Sequence, residues 1–121
     1  VVVAQEDSVA PKLVFNIVEQ MPHFPGTEES MQNFIRDNFQ LPQSLNEISF
    51  AVTIIVDCVI DIDGSVTEEK ISHTAPATFA EAFLPLKDEA LRVARLMKFR
   101  AGRQNGKAVR VRYAIPFLIN F

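Results

Sequence analysis

The sequence predicts an α+β domain: an antiparallel β-sheet with two helices packed on one face. Three observations carry that prediction. From Ile48 to Ile60 apolar residues alternate strictly, which is the period of a strand with one buried face. Two other stretches, one after Thr27 and one after Pro85, repeat their apolar residues at the helical period instead. Asp63-Gly64 is a tight hairpin-turn signal, and Gln104-Asn105-Gly106 is a second turn signal before the last strand. The resulting order is strand, helix, strand, strand, helix, strand.

Residues 1–12 read as a flexible N-terminal segment and 13–121 as the folded domain. Val1-Val2-Val3-Ala4-Gln5 fits the end of a secretory signal peptide, with small residues before a cleavage point. The charged and central apolar regions of a signal are absent, and the alternative is a short floppy or edge-strand segment. Leu13 to Val18 reads as a short strand, stopped by Pro22 and Pro25-Gly26. Thr27 then reads as a helix N-cap, with Glu28 and Glu29 in the first turn, where the helix dipole favours anions. Met31, Phe34, Ile35 and Phe39 form the apolar stripe, and Pro42 ends the helix.

In the long strand, Ile48, Phe50, Val52, Ile54, Val56, Cys58 and Ile60 share the buried face. Asp61 to Ser65 makes the hairpin turn, and Val66 to Ser72 returns. Ala75-Pro76 breaks the chain, and Phe79 to Phe83 is one helical turn. Pro85 opens the second helix, where its missing N–H costs nothing. Leu86, Ala90, Val93, Ala94 and Met97 line one face of it. Val109 to Ile115 alternates as the last strand, and Pro116 follows at once. Proline cannot donate to a ladder, so the last strand is an edge or becomes one at Pro116.

The chain has 121 residues, 48% of them hydrophobic and 22% charged, which suits one soluble globular domain. One cysteine excludes an internal disulfide framework. No apolar run is long enough for a membrane-spanning helix. A net charge of −3 and the absence of a nucleic-acid motif argue against a nucleic-acid partner. Charge is nevertheless uneven. Leu86 to Tyr113 holds nine Lys or Arg against two acids, so it reads as a positive face or as a solvated helix face plus edge-guarding cations.

Candidate chemical sites are few. An EF-hand loop through Asp63-Gly64 would need an acid at position 59 and a Glu at 70, but Val59 and Lys70 stand there. His23 and His73 have no nucleophile motif beside them, and Cys58 falls on the apolar face of its strand. The sequence therefore predicts no metal, no cofactor and no enzyme.

Six spaced segments resemble the TonB C-terminal domain in its Bacteroidetes-type form. They are Val18 to Gly26, Leu41-Pro42, Val56 to Thr67, Glu89 to Val93, Lys98 to Lys107, and Val109 to Tyr113 followed by Pro116. The chain departs from the family pattern at Thr27, where a glycine is usual, and at Ser49-Phe50, where Gln-Gly is usual. Phe99 and Ala101 replace a usual Trp and Pro, and Thr74 to Leu86 is longer.

The resemblance implies a periplasmic module without catalytic activity, secreted or anchored through an upstream segment. It would dock an extended peptide, the TonB box of an outer-membrane receptor plug, by strand addition beside the last strand. The implied partner-binding residues are Val109, Arg110, Val111, Arg112 and Tyr113, with the turn Gln104, Asn105 and Gly106 setting register. Inner-membrane motor proteins would be reached only through segments outside this chain. The alternative is a stand-alone scaffold domain that pairs with itself through the same edge. An exposed strand edge supports either use, because its unpaired N–H and C=O groups accept a foreign strand.

Overall fold

A computed structural model describes residues 13–120 of the chain. The expected N-terminal segment 1–12, with its signal-peptide reading, lies outside the described residues, as does Phe121. The elements run β1 (Val14–Phe15), α1 (Glu28–Asn38), β2 (Ala51–Ile60), β3 (Val66–Ala75), α2 (Pro85–Leu96), β4 (Gly102–Gln104) and β5 (Lys107–Asn120). Short 3-10 turns at Gln43–Leu45 and Glu81–Phe83 precede β2 and α2. The sheet order is β1-β5-β2-β3, with β4 paired to β5.

The sheet and its two helices make an α+β domain, as predicted. β2 is the middle strand, antiparallel to β3 on one side and to β5 on the other. The short β1 departs from the expected pattern, because it pairs parallel to β5, Val14 with Arg110 and Phe15 with Val111.

Each face follows from the sequence alternation. Val52, Ile54, Val56 and Ile60 point into the core opposite Ile119, Phe117, Ile115 and Val111. α1 adds Met31 and Ile35, followed by Phe39, and α2 adds Leu86, Ala90, Val93 and Ala94, followed by Met97. Each large side chain fully withdrawn from water here contributes roughly 1.5–3 kcal/mol. Edge-on rings tie the layers together: Phe24 meets Phe34 and Phe99 at 5.5 Å each, and Phe99 meets Tyr113 at 5.1 Å.

Local chemistry fixes the ends. The Thr27 N–H donates to Ser30 Oγ at 3.1 Å and starts α1. The two helices are locked by Glu89, whose carboxylate accepts from the Gln40 N–H at 2.6 Å and from the Arg92 guanidinium at 2.5 and 2.9 Å. Arg92 also donates to Asn38 O at the end of α1. Burial by itself would raise the Glu89 carboxyl, but the Arg92 and Gln40 donors outweigh it and hold it below its ordinary value. In the β2–β3 turn Gly64 has φ +87°, and a Cβ there would lie 2.0 Å from Phe99 O. The Phe99 N–H donates to Gly64 O at 2.8 Å, so the Asp-Gly signal marks a docking point as well as a turn.

Several boundaries differ from the sequence reading. The strand expected over residues 13–18 shrinks to Val14–Phe15, because the following segment pairs elsewhere. Gln20 and His23 bridge to Arg103 and Arg100. β2 begins at Ala51 rather than Ile48, which is left exposed. β3 runs past Ser72 to Ala75. α1 stops at Asn38, before Pro42. β5 does not stop before Pro116 but continues to Asn120.

Candidate functional site

β5 passes through Pro116 because of which way its backbone faces. Ser72 Oγ donates to Ile55 O at 3.3 Å and Thr67 Oγ1 donates to Val59 O at 3.0 Å, both from β3. Ile55 and Val59 therefore turn their backbone groups to β3. Their partners across the other ladder, Pro116 and Arg112, turn theirs away from β2. With no register shift between β2 and β5, the same holds for Ala114, Leu118 and Asn120. A proline nitrogen at this position breaks no rung of the β2–β5 ladder.

That parity defines an outer flank of β5. Among the described residues, β1 lies along it at Arg110 and Val111, and no strand lies along it from Ala114 to Asn120. This stretch carries no ionisable side chain, and Leu118 is 57% exposed. α1 runs beside it. Gln32, Ile35, Arg36 and Phe39 face Leu118, Ile119 and Asn120 across a groove of about 110 Å³. Gln32 Nε2 donates to Pro116 O at 3.0 Å.

The residues expected to bind a partner divide into two groups. Gln104, Asn105 and Gly106 form the β4–β5 turn, with positive φ at Asn105 and Gly106. Glu19 clamps that turn: its N–H donates to Gln104 Oε1 at 2.9 Å, and its carboxylate accepts from the Asn105 N–H at 2.8 Å. Val109 pairs with Gly102, Arg110 with Val14, and Val111 is fully buried between Phe15 and Ile60. The chain's own backbone thus already occupies the ladder at Val109 to Val111. Arg112 is exposed, and Tyr113 is half-buried on the helix side against Phe99. These two lead directly into the open stretch.

The positive face also changes on folding. Arg92 pairs with Glu89, Arg95 with Glu69, and Arg110 with Glu68 and Asp61. Three of the nine cations in that stretch are thereby committed to carboxylates, which favours the solvated-face reading for them. A second shallow cleft of about 270 Å³ lies among Asp57, Glu68, Lys70 and Arg112. Cys58 is buried and its thiol contacts Tyr113 O. Burial first, then the charges of Asp57 and Glu69, push that thiol up to about 12, so it is no nucleophile at neutral pH.

Sequence reasoning placed the candidate residues on the last strand but ended them at Tyr113, and it did not include Gln32. Only the helical register of α1 hinted that Gln32 sits one residue beyond Met31, at the border of the buried stripe.

No helix among the described residues is long and apolar enough to cross a membrane. No curated protein sequence matches the chain. The solution structure of the Helicobacter pylori TonB C-terminal domain, residues 179–285, is similar with a TM-score of 0.49 at 20% identity. The match covers 80% of this chain and 86% of that one. The sequence profile of the Gram-negative bacterial TonB protein C-terminal family matches residues 38–120. The chain belongs to that family.

Proposed function

We propose that this domain docks an extended peptide, the TonB box of an outer-membrane receptor plug, by strand addition to the outer flank of β5. In TonB proteins the C-terminal domain is a periplasmic, non-enzymatic module that interacts with outer-membrane receptors. The observation that carries the reading is the charge-free outer flank from Ala114 to Asn120, along which no strand of the described residues lies, backed by seven paired positions with β2. A guest strand gains affinity from the backbone rungs, and α1 offers apolar walls for its alternate side chains. Of the residues expected from the sequence, Arg112 and Tyr113 border the docked stretch. Gln104, Asn105, Gly106, Val109, Arg110 and Val111 hold its near end in place through β4 and β1. The setting is the periplasm, and this domain would be the receptor-facing part of an energy-transducing system for nutrient import.

The test is a titration of ¹⁵N-labelled protein with a blocked TonB-box peptide. Amide shifts should concentrate on residues 112–120 and on α1. Shifts confined elsewhere would refute the assignment. Self-pairing through the same flank would appear instead as a dimer in sedimentation at micromolar concentration, without added peptide.

A further inference from the structure

We infer that Gln32 supplies the hydrogen-bond donor that Pro116 lacks, and so belongs to the partner-binding surface. This rests on the docking reading above. A strand laid along the open flank would meet Ala114, Pro116, Leu118 and Asn120, the residues whose backbone faces outward. Each contributes one acceptor, but only three contribute an N–H, because proline has none. One carbonyl of the guest therefore meets no backbone donor, whichever way the guest runs. The shortfall falls beside α1, next to the groove that Ile35 and Phe39 line against Leu118 and Ile119. An unmet carbonyl in such a place is costly.

Gln32 sits at the gap. Its Nε2 is 3.0 Å from Pro116 O. A primary amide nitrogen carries two hydrogens, so one reaches Pro116 and the second is available to the incoming carbonyl. Pro116 keeps the flank from being a uniform ladder, and Gln32 completes it at that one rung. The pair makes position along the flank matter to a guest that otherwise sees only repeating backbone.

The experiment is a double-mutant cycle on the whole domain, read by peptide affinity. Gln32→Met keeps the side-chain size and removes the donor. Pro116→Ala returns the missing N–H to the flank. With the blocked TonB-box peptide, Gln32→Met should weaken binding about three- to tenfold in the Pro116 protein. In the Pro116→Ala protein the same change should have almost no effect. The ¹⁵N side-chain amide of Gln32 should also shift when peptide binds, which a purely structural role would not produce. Thermal unfolding of each variant confirms that it is folded. Equal losses in both backgrounds, or no loss in either, would overturn the role of Gln32 while leaving docking intact. A wild-type protein with no peptide-induced shifts on residues 112–120 would overturn the docking reading and this inference together.

Discussion

The outer flank of β3 and the outer flank of β5 end the same sheet in different ways. β3 presents Glu68, Glu69 and Lys70 in succession, with positive φ at Glu68 and two register shifts against β2. Glu69 is tied to Arg95 of α2. Bulges and charges of this kind deny a foreign strand a straight template. From Ala114 to Asn120, β5 has neither a charge nor a register shift. The difference shows where the protein blocks added strands and where it leaves room for one. It also separates the two uses of cations in the sequence. Arg95 and Arg110 serve carboxylates at the β3 side, whereas Ala114 to Asn120 carries no charge.

The comparison breaks most completely if β5 loses its footing. Phe117 is fully buried on the face opposite to the flank residues. Phe117→Ala should cost about 3–5 kcal/mol in chemical denaturation and take peptide binding with it. The adjacent Leu118→Ala should change stability by no more than about 0.5 kcal/mol. Equal effects at the two positions would mean that the parity assigned to β5 is wrong.

A sharper contrast comes from removing single donors. Leu118→Pro deletes an N–H that faces away from β2, so the fold should survive while peptide affinity falls about tenfold or more. Lys70→Val on β3 should leave affinity unchanged. If Lys70→Val altered peptide binding as much as Leu118→Pro, the two flanks would not differ in function.

The smallest effect is read at Cys58, which lies on the strand between the flanks. Its raised thiol should react with iodoacetamide at pH 8 at least about a hundredfold more slowly in the native protein than in the denatured one. The linkage has a definite sign. The fold favours the protonated thiol, so its contribution is complete below the ordinary thiol value of 9.0 and is lost as pH rises toward about 12. A native rate matching the denatured rate would show that one of the strands flanking β2 opens readily.

Much of this architecture is legible in the sequence because it depends on periodicity. The stripe Met31, Ile35, Phe39 and the stripe Leu86, Ala90, Val93, Ala94 are buried as their spacing requires. The alternation in β2 assigns its core face residue by residue. Less legible were features that depend on which neighbour a strand acquires. The parallel entry of β1, the three-residue β4 and the bridges from Gln20 and His23 leave no local pattern. Pro116 reads in the sequence as the mark of an edge, which leaves open whether the strand runs past it. Only the ladder shows that it lies on the unpaired side. Gln32 is invisible for the same reason, since its significance comes from a carbonyl 84 residues away.

The two residues of β1 close one end of the open flank of β5. Ala114 to Asn120 is a run of seven residues, about 20 Å of strand. A guest strand laid along this run would have to bend out of the sheet where it meets Phe15. Docked as proposed, a partner would be stopped at that end by the chain's own backbone, so its placement would be set there before any side chain is compared.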